Sequence, residues 1–312
     1  MRKIMLLILA IGSITLFTAC GASQENEQKT DGKLQVVTTF YPMYDFTKKI
    51  VGDNGDVSVL MTGETEPHDY EPSAKDIAKI QDADVFVYNS KEMETWVEAV
   101  LDSIDTKKTV VVEASQGIEL MEMTEEEDHE DHEDHDHAHG VDPHIWLDPI
   151  LAKKEVATIR DSLLKVDPVN QESYQKNSDG FMEQLTNLDQ QFVAQFKSAT
   201  QRDFVTQHAA FGYLAARYDL HQVAISGISP DQEPSPAELA TIEDFVKAHQ
   251  VEIIFTEELS SDKIASTIAK ATGAELATLN TLEGLSKAQQ AAGEDYLSVM
   301  ETNLANLSKA IR

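Results

Sequence analysis

Short apolar runs alternate with amphipathic stretches through the first half of the chain. Four such runs are rich in β-branched residues: LQVVTTF from Leu34, VSVLMT from Val57, VFVYN from Val85 and TVVVEA from Thr109. Amphipathic segments such as 75–81 lie between them. Strands that alternate with helices predict βαβ units and a parallel sheet. The first half is therefore predicted to fold as an α/β lobe.

The same pattern returns in the last third of the chain. Its apolar runs are FVTQH ending at His208, HQVAISG from His221, VEIIFTE from Val251 and ELATLN from Glu275. A second set of strands separated by helical patterns predicts a second parallel sheet. The expected fold class is α/β, with two similar lobes.

One long helical pattern lies between the two sets. Asp167-Pro168 has the form of an N-cap followed by proline at the first helical position. The apolar positions that follow have helical spacing: Phe181, Leu185, Leu188, Phe192 and Phe196. Gly180 inside this pattern costs on the order of 1 kcal/mol relative to alanine and allows a local bend. We expect one long rigid helix, residues 168–198, to join an N-terminal lobe, 34–167, to a C-terminal lobe, 199–312.

Three helix starts are marked by capping residues. Ser73 with Asp76 approximates a capping box, Ser235 with Glu238 forms a full one, and Asp148-Pro149 caps a third helix. These signals place the neighbouring histidines in loops.

The N-terminus has the pattern of an export signal. Basic residues at 2 and 3 precede the apolar run 4–17, which is too short to span about 30 Å of hydrocarbon. The residues before Cys20 resemble a bacterial lipobox, so we expect a signal peptide at 1–19, lipid on Cys20 and a flexible tether at 20–33. Localisation is then extracytoplasmic, anchored to the bacterial membrane through the lipid. Cys20 is the only cysteine, which excludes disulfides and thiolate metal ligands from the exported chain.

The formal net charge of the chain is −30. Nucleic acids are bound by basic surfaces, so this charge argues against nucleic acid as a partner. It favours cations instead.

Three histidines outside any dense cluster lie at the ends of predicted strands or just before a predicted helix. His68, His144 and His208 come from both lobes, and ligands of open parallel sheets bind beyond the carboxyl ends of the strands. A shared metal site would therefore lie between the lobes. Glu283, after the last predicted strand, is the preferred fourth ligand. Its rivals are Glu257 and Glu258 after VEIIFTE, with Asn280 as a weaker oxygen donor.

Residues 120–141 include a run rich in acids and histidine. Between Thr124 and Gly140 there are nine carboxylates and five histidines, a composition that cannot bury a core. We interpret these histidines as low-affinity collectors of metal, and the alternative is a solvated acidic insertion. They are His129, His132, His135, His137 and His139.

The ligand chemistry favours zinc. Three imidazoles and one carboxylate suit tetrahedral Zn²⁺, whereas Mn²⁺ prefers oxygen ligands. Copper and nickel also bind imidazole tightly, so ligand type alone leaves them open.

Several motifs in one order resemble the cluster A-I metal-binding lipoproteins of bacterial ABC importers, and specifically their zinc-binding members. The motifs are PHDYEPS around His68, DPHIWLDP around His144, QHAAFGYLAARY around His208, ISPDQEPSPAEL, and LNTLEGL around Glu283. The resemblance implies two α/β lobes, a long rigid linking helix, and zinc held between the lobes by His68, His144, His208 and Glu283. It also implies a membrane permease and an ATPase as partners of a monomeric receptor. Manganese-binding relatives carry a carboxylate at the position of His208.

The function we expect is that of a high-affinity receptor that delivers Zn²⁺ to an ABC importer, with no enzymatic activity. The rival readings are a receptor for manganese or another divalent metal, a zinc hydrolase, and an adhesin or surface metal buffer. Three histidines with an open fourth position can activate water, but no G-x-S-x-G or H-E-x-x-H motif occurs.

Overall fold

The computed structural model describes residues 32–63, 65–122 and 140–312. Residues 33–312 form one compact unit. Within the described ranges, no helix is both long and apolar enough to cross a membrane. The predicted signal peptide, Cys20 and the five histidines of the 124–140 run lie outside the described residues.

The first lobe is a four-stranded sheet with helices between its strands, followed by a short strand pair and a long helix. Its elements are β1 (Leu34–Thr38), α1 (Tyr41–Val51), β2 (Gly55–Val59), α2 (Ala74–Asp82), β3 (Val85–Tyr88), α3 (Val97–Ser103), β4 (Val110–Glu113), β5 (Met121–Glu122), β6 (Val141–Asp142) and α4 (Pro149–Val166). Strands β5 and β6 pair antiparallel, with Met121 opposite Asp142. They flank the acidic run and were not predicted from the sequence.

The second lobe follows the long helix α5 (Gln171–Phe196). Its elements are β7 (Asp203–Thr206), α6 (Gly212–Arg217), β8 (His221–Ala224), α7 (Pro236–Ala248), β9 (Ile253–Thr256), α8 (Lys263–Thr272), β10 (Glu275–Thr278), α9 (Lys287–Ala292) and α10 (Tyr296–Ala310). The eight predicted strands are confirmed, as is the α/β class with two parallel sheets.

The two sheets have the same strand order. The first sheet runs β2-β1-β3-β4 and the second runs β10-β9-β7-β8, and all of their pairings are parallel. Numbered within each lobe, both orders read 2-1-3-4. The chain therefore reverses direction across each sheet between its first and third strands, and sheets of this type bind ligands beside that switch point.

The switch points face the segments that carry the predicted ligands. In the second lobe, His208 follows β7 and Glu257 follows β9, and these two strands are neighbours. In the first lobe, Asn89 follows β3 and donates from Nδ2 to the carbonyl of Pro143 at 3.0 Å. Sheet topology thus places the 143–144 segment and His208 at the crevice between the lobes.

Helix α5 is central to the packing of the molecule, because it contacts α1, α4 and α10. It begins after a single 3-10 turn at Pro168–Asn170, so the Asp167 carboxylate accepts from Asn170 Nδ2 and the Tyr174 hydroxyl and not from a helix N–H. All five apolar positions predicted for this helix are buried.

A continuous apolar core joins the two lobes. Tyr296 of α10 packs edge-on against Phe46 of α1 and Phe181 of α5. Its hydroxyl donates to the Trp146 carbonyl at 2.6 Å. The same cluster of buried side chains contains Phe86 from the first sheet and Phe204 from the second. A large rotation between the lobes would break this packed core.

The helix caps predicted at Ser73, Asp148 and Ser235 are present, whereas the one predicted at Asp167 is not. Ser73 and Ser235 both form complete capping boxes, and Asp148 accepts from the N–H groups of Ile150 and Leu151. These caps fix the residues at which the preceding loops end and the helices begin.

Gly180 offers a stability test of the long helix. It is exposed, and a methyl group built on it meets no atom within 4 Å. We expect Gly180→Ala to raise the free energy of unfolding by about 0.5–1 kcal/mol, because alanine loses less backbone entropy in a helix. The same substitution at Gly273 is the matched control. That residue ends α8 at φ +85°, so alanine there should lower stability by about 1 kcal/mol or more. Urea unfolding of the metal-free variants measures both changes in the free energy of unfolding. Changes of the same sign in the two variants would contradict this prediction.

Candidate metal centre

Four side chains from both lobes converge at one point. One ligand atom from each of His68, His144, His208 and Glu283 lies within 4.8 Å of the others. The Nε2 atom of His144 is 3.2 Å from that of His68 and 3.4 Å from that of His208. The Oε1 atom of Glu283 lies 3.4, 3.3 and 3.5 Å from the Nε2 atoms of His68, His144 and His208.

These distances have the size of the edges of a zinc tetrahedron. Zinc binds imidazole nitrogen and carboxylate oxygen at about 2.0–2.1 Å, and the corners of such a tetrahedron are about 3.3–3.4 Å apart. Five edges of the cluster are between 3.2 and 3.5 Å long. The four atoms can therefore bind one small ion without a rearrangement of their side chains.

His144 is oriented by the residue two positions before it. The Oδ1 atom of Asp142 lies 2.7 Å from the Nδ1 atom of His144 and also accepts its backbone N–H at 2.9 Å. A carboxylate at Nδ1 keeps the proton on that nitrogen and leaves the Nε2 lone pair free for a metal. The ring is fully buried, with Asn89 and Pro143 fixing the backbone just before it.

His208 is oriented in the same way from a neighbouring strand. Its Nδ1 atom lies 2.5 Å from Oε1 of Glu257, whose other oxygen accepts from the Ser260 hydroxyl at 2.9 Å. Glu257 directly follows β9 and His208 comes two residues after β7, so the parallel pairing of these strands brings the two side chains together. Both buried histidines thus present Nε2 to the same point.

Glu283 lies in a tightly folded loop after β10. Leu282 adopts a positive φ of 61°, and its N–H donates to Asn280 Oδ1 at 2.7 Å. A methyl group on Gly284 would lie 2.8 Å from the carbonyl oxygen of Gly63, so this loop touches the loop that carries His68. The Oε2 atom of Glu283 accepts from the Thr281 hydroxyl at 3.0 Å. Its Oε1 atom is buried and has no hydrogen-bond partner within the described part of the chain.

His68 is held less firmly. Its backbone N–H donates to the Glu66 carboxylate at 3.1 Å, and no carboxylate among the described residues binds its Nδ1 atom. A cavity of about 50 Å³ opens beside Glu283 and is lined by the carboxylates of Glu66, Glu257 and Glu258. This acidic opening attracts cations toward the cluster.

Electrostatics within the cluster favour an ionised carboxylate. Burial opposes ionisation of Glu283, but the charge of His208 and the close approach of the three imidazoles hold its pKa well below the usual range. Burial would also lower the pKa of His208, yet the charges of Glu283 and Glu257 raise it to about 10. The hydrogen bond and charge of Asp142 outweigh burial and raise the pKa of His144, whereas burial lowers the pKa of His68.

The structure places Glu283 at the convergence point and its rivals away from that point. Glu258 is exposed and accepts from the Ser286 hydroxyl at 2.7 Å, and Asn280 accepts a backbone N–H inside its own loop. Glu257 contacts the far nitrogen of His208 and not the convergence point. Its orienting role, and that of Asp142, were missed. The D-x-H spacing at Asp142 was a usable signal, because a carboxylate two residues before a histidine can reach both its N–H and its ring.

Glu257 and its neighbour give a matched pair of variants. Glu257→Gln keeps the size of the side chain but removes the negative charge beside the Nδ1 atom of His208. We therefore expect zinc affinity to fall about 10–100-fold. Glu258→Gln changes an exposed carboxylate that does not contact a histidine, and affinity should stay within about twofold. Competition with a chelator of known affinity measures both. Equal losses in the two variants would show that general acidity, and not ring orientation, is what matters.

Two parallel-sheet lobes with side chains converging between them define a solute-binding protein. The ZnuA family, described as zinc-uptake complex component A, periplasmic, matches residues 36–310. The chain belongs to this family.

Named relatives agree with this assignment. The chain is 50% identical over 300 residues to the high-affinity zinc uptake system protein ZnuA of Bacillus subtilis, covering 95% of this chain and 94% of that protein. It is 46% identical to the zinc-binding lipoprotein AdcA of Streptococcus pneumoniae over 99% of its own length, but spans only 61% of AdcA. The crystal structure of the Zn(II)-bound ZnuA-like domain of S. pneumoniae AdcA superposes with a TM-score of 0.77 at 46% identity, covering 89% of this chain and 99% of that domain.

Proposed function

We propose that this chain is the extracytoplasmic receptor of a zinc importer. It binds one Zn²⁺ ion through His68, His144, His208 and Glu283 and delivers it to a membrane permease driven by a cytoplasmic ATPase. The observation that carries the proposal is the set of four ligand atoms at tetrahedral spacing, two of them on imidazoles already oriented by carboxylates. Zinc is the cargo of this protein, and no bond is made or broken.

The donor set supports zinc over manganese. Three nitrogens and one oxygen are the ligands of a tetrahedral zinc site, whereas Mn²⁺ favours oxygen-rich shells. The carboxylate at the fourth corner argues against a hydrolase, since catalytic zinc keeps that position for water. The relatives that are named for zinc uptake and zinc binding support the same reading.

Membrane anchoring is the part of the proposal that rests on sequence. Cys20 closes a signal-like segment, and AdcA of S. pneumoniae is named a lipoprotein. Cys20→Ser should move the protein from the membrane fraction to the soluble fraction of cells. Unchanged fractionation would remove the lipid anchor from the proposal.

The central test measures metal content and zinc-against-manganese competition on the soluble chain from Gly21, with and without residues 124–140. The pairing of β5 with β6 brings the two ends of the deleted segment together, so a short turn can replace it. We expect one tightly held zinc in both forms, and fewer weakly bound ions in the shortened one. Loss of tight binding with the segment would make the protein a surface metal buffer. In cells without a redundant receptor, normal zinc uptake after deletion of the gene would contradict the importer role.

A further inference from the structure

The hydroxyl group of Tyr213 joins three parts of the molecule. This residue lies in α6, five positions after His208, and is almost completely buried. Its hydroxyl accepts the backbone N–H of Met121 at 2.7 Å and donates to the backbone carbonyl of Asp142 at 2.7 Å. One side chain of the second lobe therefore holds both β5 and β6 of the first lobe.

Asp142 is also the residue that orients His144. The carbonyl of Asp142 is fixed by Tyr213. Its carboxylate contacts two atoms of His144, the backbone nitrogen and the ring Nδ1. Displacement of the Asp142 peptide would move the carboxylate and so rotate the imidazole. We infer that Tyr213 is a positioning residue for zinc binding, which acts through Asp142 on His144. This inference rests on the proposed function.

A second contact fits α6 against the same carboxylate. A methyl group on Gly212, the first residue of α6, would lie 2.6 Å from Oδ2 of Asp142, closer than a carbon and an oxygen can approach. Glycine at this position thus lets the helix start touch the carboxylate. The hydroxyl of Tyr213 and the backbone of Gly212 enclose Asp142 from one helix.

The helix itself is held in place at its other end. Arg217, its last residue, donates to Asp189 of α5 at 2.6 Å and lies 3.5 Å from Asp148, the cap of α4. Helix α6 is therefore fixed to the rigid centre of the molecule. Through Tyr213 it sets the position of His144 relative to His208. The Nε2 atoms of these two histidines lie 3.4 Å apart across the lobes.

Tyr213→Phe tests this role, with Tyr218→Phe as its matched control. Tyr218 follows α6 directly, and its hydroxyl donates to Asp189 at 3.0 Å without touching β5 or β6. We expect Tyr213→Phe to weaken zinc binding about 3–10-fold, mostly through faster dissociation into a chelator, since it acts one residue further out than an orienting carboxylate. Tyr218→Phe should bind zinc within about twofold of the parent chain.

Two further measurements separate positioning from a general loss of stability. Urea unfolding of the metal-free variants reports stability, and zinc affinity is then compared with it. In an Asp142→Asn background, Tyr213→Phe should weaken binding by less than about twofold more, because coupled residues are not additive. Gly212→Ala provides a second route to the same carboxylate and should weaken zinc binding while Tyr213 is intact.

The outcomes distinguish this inference from the proposed function. Three results would each overturn the positioning role while leaving the zinc receptor in place. They are parent-like affinity in Tyr213→Phe, equal losses of affinity in the two tyrosine variants, and full additivity of Tyr213→Phe with Asp142→Asn. A parent chain that binds no zinc would overturn the proposed function, and this inference with it.

Discussion

We expect replacement of His144 by alanine to have the largest effect on zinc affinity. The Nε2 atom of His144 lies 3.2, 3.4 and 3.3 Å from the other three candidate ligand atoms. Tight protein zinc sites bind with about 10–16 kcal/mol, so an even share among four ligands is about 2.5–4 kcal/mol each. Affinity should fall on the order of 10²–10³-fold. The variant also leaves Glu283 with one imidazole fewer around its buried oxygen.

His221→Ala is the control for this change. His221 starts β8 at the opposite end of the sheet from His208, and 70% of its side chain is exposed beside Asp203. Its removal should not alter zinc affinity, measured by the same chelator competition. If His144→Ala binds zinc as tightly as the His221 variant does, the inter-lobe cluster is not the tight site.

Local signals in the sequence were enough to predict most of the architecture. β-branched runs marked the eight strands of the two sheets, and Ser73, Asp148 and Ser235 marked helix starts that the structure contains. These features depend on residues a few positions apart, where propensity and capping act. Each candidate ligand lay after a strand or before a capped helix, which placed it at the correct edge of a parallel sheet.

What the sequence left open were contacts between distant segments. Glu257 and Glu283 both follow a strand, so spacing alone did not decide between them. In the structure β9 pairs with β7, which directs Glu257 to the outer nitrogen of His208. The positive φ of Leu282 and the close approach of Gly284 to Gly63 direct Glu283 to the inner side. Neither the strand order nor that backbone conformation could be predicted from local pattern.

The contacts between the lobes also join segments that are distant in sequence. Trp146 Nε1 donates to the carbonyl of Thr281 at 2.8 Å, and the Tyr296 hydroxyl donates to the carbonyl of Trp146. The first bond ties the His144 segment to the Glu283 loop and the second ties it to α10, across sequence separations of 135 and 150 positions.

Saturation with zinc should raise the unfolding temperature strongly, and this is the second large effect. The four ligands are separated by 76, 64 and 75 residues along the chain, so the unfolded protein does not present the cluster. A ligand that binds only the folded state at about 1,000 times its Kd adds about 4.1 kcal/mol. At about 2–4 °C per kcal/mol for a chain of this size, the midpoint should rise by about 8–16 °C. Thermal scans with zinc and after chelation measure the difference.

The acidic histidine run makes this experiment more discriminating. His129, His132, His135, His137 and His139 are close together in sequence, so they can bind zinc in the unfolded chain as well. Binding to the unfolded state reduces the stabilisation, and deletion of 124–140 should therefore preserve or increase the shift in midpoint. His144→Ala should remove it in either form. A shift that vanished with the deletion but survived in His144→Ala would place the tightly bound zinc on the acidic run, and the cluster between the lobes would then need another explanation.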